Sequence, residues 1–116
     1  MKWLTLRPKV EPAIETTAVA VIAEFKANGV AAEQKYDGKR IRVTGVVHSI
    51  DKDILDTPYV ALSGDQYGIN NVQCMFPKDH ANDLVSLKKD TSVTVEGVFS
   101  SNLINVILQD CTVIIK

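Results

Sequence analysis

The sequence predicts a mainly β protein, a small closed barrel of five strands with helical segments outside it. Three observations carry that expectation. The stretch Tyr36 to Asp51, YDGKRIRVTGVVHSID, alternates apolar and polar residues on both sides of one interior glycine, Gly45. Alternation marks a strand with one buried face, and a glycine inside it marks a bulge or sharp bend. A strand that bends can serve both halves of a closed sheet. Further along, four shorter alternating segments are separated by turn chemistry. Finally, a short helical pattern falls between the third and fourth of the five strands.

At 116 residues the chain fits one domain, expected over residues 12–116 behind a leader at 1–11. Its composition, 46% hydrophobic and 23% charged with only 4 prolines and 6 glycines, is that of an ordered globular chain. The net charge of -1 excludes a strongly basic, nonspecific polyanion binder, so any nucleic-acid contact must use a local patch. No apolar run reaches signal-peptide or membrane-spanning length, so no membrane insertion is expected. With Met1 as natural start the expected location is the cytoplasm. The alternative is a periplasmic or envelope lipoprotein whose export signal has been removed.

In chain order, Pro12 to Asn28 reads as a helix, because Ile14, Ala18, Val21, Ile22 and Phe25 recur at helical spacing between Pro12 and Gly29. The bent strand follows at about Lys39 to Ile50, with its bend expected at Gly45. A polar segment holding Asp51, Asp53 and Asp56 leads to a second strand, Tyr59 to Ser63. Gly64 to Asn71 reads as the turn of a hairpin whose third strand, Val72 to Phe76, stops at Pro77. Asp79 is placed to cap a short helix through Leu87 that turns Ala81, Leu84 and Val85 inward. After the turn Lys88 to Asp90, a fourth strand runs from Ser92 to Phe99 with Val93, Val95, Gly97 and Phe99 on one face. After a turn at Ser100 to Asn102, a fifth strand runs to Lys116. Its apolar phases, Val106 and Leu108 then Cys111, Val113 and Ile115, are offset by one residue, which predicts a bulge near Gln109 and Asp110.

Three strands, a helix and two strands is the order of the five-stranded OB-fold Greek-key barrel, here with an extra N-terminal helix. The run FKANGVAAEQKYDGKRIRVTGVVHSID, then VQCMF, LVSLKKDTSVTVEGVF and VILQDCTVI, resembles the tRNA-anti-like family of small bacterial and phage OB-fold proteins. On that resemblance Asn28, Ala32, Tyr36, Gly38, Gly45, Cys74, Gly97 and Cys111 fall on fold-defining positions, while Lys89 and Asp90 stand where the family often has Gly-Asp. The family's lipid-bearing cysteine has no counterpart in this sequence. The resemblance implies nucleic-acid binding through kinship with anticodon-binding domains.

The residues themselves place a candidate binding face on the second and third strands, where OB-folds use aromatic stacking and basic side chains. Tyr59, Ala61, Ser63, Gln73 and Met75 point outward by strand phase, with Tyr67 in the turn between. Residues 35–52 hold five basic and two acidic side chains, a net of +3, whereas residues 53–80 hold Lys78 against four aspartates, a net of -3. Candidate nucleic-acid contacts are therefore Lys39, Arg40, Arg42, Tyr59, Tyr67, Gln73, Lys78 and Lys88. For Arg40 and Arg42 the plainer alternative is a solvated strand face.

No catalytic, cofactor or metal site is expected. His48 and His80 lack partner spacing for a metal or a nucleophile–base pair, and Asp51, Asp53 and Asp56 lack the glycine and glutamate of a calcium loop. Cys74 and Cys111 match no metal or redox spacing; they read as buried thiols, with a disulfide as the alternative in an oxidising compartment. Two functions stay open: a weak single-stranded nucleic-acid binder, and a protein-interaction module offering a barrel edge, a groove or residues such as Trp3, Leu4 and Met75 to a partner.

Overall fold

The computed structural model describes residues 12–100 and 106–115. The leader, the turn expected at Ser100 to Asn102 beyond its first residue, and Lys116 lie outside the described residues. Strand β2, Arg40–Lys52, organises the rest because its 13 residues face two sets of neighbours. Ile41, Val43 and Val47 point into the core and are fully buried. Along one edge, Arg40 to Val46 pair antiparallel with β5, Ser92–Phe99. On the other edge, Val47 to Lys52 pair with β3, Pro58–Ser63. β3 pairs with β4, Asn71–Met75, which runs parallel to β6, Val106–Ile115, and β6 returns antiparallel to β5. The circuit β2–β3–β4–β6–β5 closes on β2, giving the five-stranded OB-fold barrel.

Three register irregularities let the sheet turn, one on β2 and two in the β5–β6 pairing, at Thr94/Val95 and at Glu96/Val98. The bulge expected near Gln109 and Asp110 is present: on β6, Gln109 pairs with Val98 and Thr112 with Glu96, so one residue is extra, and Asp110 takes a positive φ of 53°. The expected bend at Gly45 lies elsewhere. Gly45 pairs regularly with Val93, and the register slips between Val47 and Ser49, which makes His48 the extra residue. Gly45 serves a different need, close approach. A Cβ there would stand 3.0 Å from the Ala18 Cβ and 3.1 Å from the Leu62 Cβ.

The N-terminal region departs furthest from expectation. In place of one helix from Pro12 to Asn28, Ile14–Thr17 form a strand, β1, parallel to Ile41–Thr44 of β2. The cause is an unfilled edge: β3 engages β2 only from Val47, so the stretch before it has free backbone groups, and the β-branched Ile-Glu-Thr-Thr run suits a strand. Thr17 then caps helix α1, Ala18–Ala27, its hydroxyl accepting from the Ala20 N–H at 3.1 Å. Asn28 ends α1 and caps a second helix, α2, Gly29–Tyr36, accepting from the Ala31 N–H at 3.1 Å. The sequence did not predict α2, whose eight residues bury only Ala32 and Tyr36. Tyr36 donates its hydroxyl proton to Glu24, and Lys35 pairs with the same carboxylate at 2.9 Å, tying the helices together. The Tyr36 bond, ahead of the Lys35 bond, holds the Glu24 carboxyl below its ordinary range.

Between β4 and β5 the expected helix is a 3-10 segment, Lys78–Leu84. Asp79 does not cap it; Pro77 occupies the capping position without a side-chain bond. The tighter winding also changes which residues face inward. Leu84 and Leu87 are buried, whereas Val85, expected inside, is 79% exposed.

Gly45→Val is expected to destabilise the protein by about 1–3 kcal/mol in urea denaturation, through overpacking against Ala18 and Leu62. Thr17→Ala should cost about 1 kcal/mol by loss of the cap.

Candidate nucleic-acid interface

Strand pleating puts Tyr59 and Ala61 of β3 and Gln73 and Met75 of β4 on the outer face, opposite the buried Val60, Leu62, Val72 and Cys74. Cross-strand register makes them contiguous. Tyr59 pairs with Met75 and Ala61 with Gln73, while Asp51 and Ser49 of β2 pair with Tyr59 and Ala61 in turn. A groove of about 920 Å³ lies over this face, walled on the far side by the helices. Gly64 brings the wall close: a Cβ there would sit 2.3 Å from Ile22 Cγ1, so α1 rests directly on the start of the β3–β4 turn. The next turn of α1 then presents Phe25 and Lys26 to the groove, and the α1–α2 junction presents Asn28, Gly29, Val30 and Glu33. The floor is Tyr59, Ala61 and Gln73, with His48 and Ser49 beside it.

The β3–β4 turn forms one end of the groove and is braced by one carboxylate. The Asp65 carboxylate accepts from the N–H groups of Tyr67, Ile69 and Asn70 at 3.0, 3.0 and 3.1 Å and from the Asn70 side-chain amide at 2.9 Å. The Asn70 side chain first, then the Ile69, Asn70 and Tyr67 N–H groups, hold its pKa down to about 2 against desolvation. Gly68, at φ +68°, lets the turn close over the His48 ring, whose Cε1 would lie 2.7 Å from a Cβ there. Ile69, Asn70 and Asn71 are thereby fixed on the groove lining. Asn71 donates its side-chain amide to the Gly68 carbonyl at 3.2 Å, which leaves its Oδ1 buried with no partner among the described residues.

Of the candidate contacts, Tyr59 and Gln73 stand together in the groove. Tyr67 is on the turn, 75% exposed. Lys39, Lys78 and Lys88 are exposed outside the groove, before β2, on the 3-10 segment and in the turn before β5. Arg40 and Arg42 lie on the barrel wall that β2 shares with β5. Both arginines share Glu96: Arg42 donates from Nε and Nη2 to Oε1 at 3.0 and 2.8 Å, and Arg40 Nη1 reaches Oε2 at 3.3 Å. Lys35 pairs with Glu24 and Lys52 with Asp56, at 2.9 and 3.4 Å. Most of the +3 segment is thus matched by nearby carboxylates.

Sequence reasoning missed Lys26, Asn28, Gly29, His48, Ser49, Asn70 and Asn71 as groove residues. His48 falls within the predicted bent strand and Asn70 and Asn71 within the predicted hairpin turn, so strand and turn chemistry already account for them in the sequence. Among the described residues no three His, Cys, Asp or Glu side chains come together as a metal site, and no helix is long and apolar enough to cross a membrane.

The sequence matches the tRNA_anti-like family over residues 7–113. This chain is a member of that family. The family's members are OB-fold binding modules rather than catalysts. Among solved structures, the chain is similar to a candidate nucleic acid-binding lipoprotein from Klebsiella pneumoniae subsp. pneumoniae, with 20% identity over 88% of this chain and 92% of that one and a TM-score of 0.72. An OBody bound to hen egg-white lysozyme is similar at 19% identity over 71% of this chain and 84% of that one, with a TM-score of 0.53. The asparaginyl-tRNA synthetase of Entamoeba histolytica is similar at 16% identity over 91% of this chain and 24% of that one, with a TM-score of 0.57. At these identities the likeness is one of fold, and the synthetase shares only that quarter of its length. No curated protein matches the sequence.

In this tRNA-anti-like barrel the β3–β4 turn is expected to depend on an ionised Asp65. Because its folded pKa is depressed, the stabilisation is complete above its ordinary value near 3.8 and is lost as pH falls through about 2. An NMR titration of the Asp65 carboxyl should show a midpoint near 2, and Asp65→Ala should speed amide exchange at Tyr67, Ile69 and Asn70.

Proposed function

We propose that this tRNA-anti-like protein is a non-enzymatic binding module that holds single-stranded nucleic acid weakly in the groove between the β3–β4 face and helices α1 and α2. The observation that carries the reading is the juxtaposition of the Tyr59 ring with amide and hydroxyl groups of Asn70, Asn71, Gln73 and Ser49 around one groove. A half-buried ring offers a stacking surface to any base, and side-chain amides offer paired donors and acceptors to base edges.

Weakness follows from charge. Lys26 is the lysine on the groove lining and Glu33 the carboxylate, so a phosphate backbone finds little net attraction there. Lys39, Arg40, Arg42, Lys78 and Lys88 lie outside the groove lining and are left to take up phosphates of a longer strand. The exposed Arg40–Glu96 pair is worth only about 0–1 kcal/mol, so a phosphate can compete for Arg40. The lipoprotein description of the Klebsiella neighbour favours the cell envelope as the place of action.

A second reading, a protein-interaction module, is favoured by Val30, Tyr67 and Ile69, which are 72%, 75% and 76% exposed. The OBody, whose fold is similar, holds a protein.

Fluorescence anisotropy with labelled single-stranded oligonucleotides separates the two. With about one or two phosphate contacts, the slope of log K against log salt should be about -0.7 to -1.4. Tyr59→Ala should weaken binding by about 1–3 kcal/mol, or roughly 5- to 150-fold. No binding at low salt, or binding indifferent to Tyr59→Ala, would remove the nucleic-acid reading and leave the protein one.

A further inference from the structure

We propose that His48 is a phosphate-contacting residue of the groove and makes this contact in its protonated form, so that the protein binds single-stranded nucleic acid more tightly as pH falls. The proposal rests on the groove being the nucleic-acid site. What points to His48 is the register slip on β2. Before the slip Val47 faces inward opposite Leu62, and after it Ser49 faces outward opposite Ala61. His48 is the residue inserted between them, so two consecutive side chains, His48 and Ser49, line the groove. Bulges re-aim side chains in this way.

The ring is held in place but not engaged. Gly68 closes over it from the β3–β4 turn: a Cβ there would lie 2.7 Å from Cε1 and 2.8 Å from Nδ1, but 3.6 Å from Nε2. The turn therefore covers the Cε1 and Nδ1 edge and leaves Nε2 the more open nitrogen. The side chain is half-buried, and among the described residues neither nitrogen has a hydrogen-bond or ion-pair partner. The other histidine of the chain, His80, stands in contrast. It lies outside the groove lining, 4.0 Å from Asp79 and 3.7 Å from Asp83, carboxylates that offset its charge.

Histidine changes charge between about pH 5 and 8, and at His48 the change falls on a lining with little field of its own. Lys26 of α1 and Glu33 of α2 carry opposite charges there, and Tyr59 of β3 supplies a ring. On the turn above, Asp65 commits its carboxylate to N–H groups of Tyr67, Ile69 and Asn70. Farther along β2, Asp51 accepts from the Lys52 N–H, and the turn before β5, with Lys88, Lys89 and Asp90, meets this strand at the Val47 backbone. None of these groups pairs with His48. Protonation thus takes the lining from neutral to a net of one positive charge. An imidazolium donates from both nitrogens and has no acceptor, which matches it to a phosphate oxygen. Because phosphate favours the charged ring, the gain in affinity is complete at acid pH and is lost as the ring deprotonates.

The test is fluorescence anisotropy with a labelled short oligothymidylate at about pH 5.5 and about pH 8, near the two ends of the histidine range. Oligothymidylate is the probe because neither its bases nor its phosphates change charge over that interval. The natural chain is expected to bind about fivefold more tightly at the lower pH, with a salt slope steeper by about 0.7 for the added phosphate contact. His48→Gln should bind at both pH values as the natural chain does at the higher one. His48→Lys should bind at both as the natural chain does at the lower one, and His80→Gln should keep the full response. Binding that is equal at the two pH values, or a response that survives His48→Gln, would overturn the proposal and leave the groove reading standing. No binding at either pH would remove the groove reading and the proposal together. Should His48→Gln fail to fold, His48→Lys and the two salt slopes of the natural chain still decide, and equal slopes would overturn the proposal.

Discussion

Hydrogen bonding along both edges of β2 is the constraint on which the architecture rests. One edge is taken by β5 from Arg40 to Val46, and the other is divided between β1, as far as Thr44, and β3, from Val47. The changeover falls between those residues, where Gly45 admits Ala18 and Leu62 and His48 supplies the extra residue that turns the strand. Because β1 fills the open stretch of edge, α1 begins at the barrel mouth, and its next turn becomes the wall of the groove. The groove is thus a consequence of how the barrel closes. It is not a separate feature laid over a finished sheet.

The same geometry decides where charge acts. Residues close in sequence on β2 are not close to the binding face, because that strand's first half belongs to the wall with β5. Arg40 and Arg42 meet Glu96 across the strand pair, an arrangement that orients both guanidinium groups and leaves little net field. The groove is left nearly neutral and rich in amides, which suits recognition by hydrogen bonding and stacking more than by attraction to phosphate.

Strand periodicity was the most legible signal. β5 is recognisable residue for residue from Ser92 to Phe99, and the phase offset on either side of Gln109 and Asp110 locates the β6 bulge, because alternation reports burial directly. The same signal placed Tyr59 and Gln73 on an outer face. Legibility failed where tertiary partners outweigh local pattern. Ile14 to Thr17 carry helix-compatible spacing, yet the free edge of β2 and the capping hydroxyl of Thr17 make them a strand and a helix start. α2 is too short for periodicity to reveal, and with it the helical wall of the groove went unseen. Gly45 was singled out correctly as special but for the wrong reason, since a glycine in a strand marks either a bend or a close approach and only the neighbours distinguish them.

The central claim, that the β3–β4 face under α1 and α2 is the ligand site, is tested most directly by amide chemical-shift mapping of the labelled protein with a short single-stranded oligonucleotide at low salt. The account predicts shifts concentrated at Lys26, Gly29, Tyr59, Ala61, Asn70, Asn71 and Gln73, with Arg42, Thr94 and Glu96 unmoved. Shifts gathered on the β2–β5 wall around Arg40 and Arg42, with the groove silent, would contradict it.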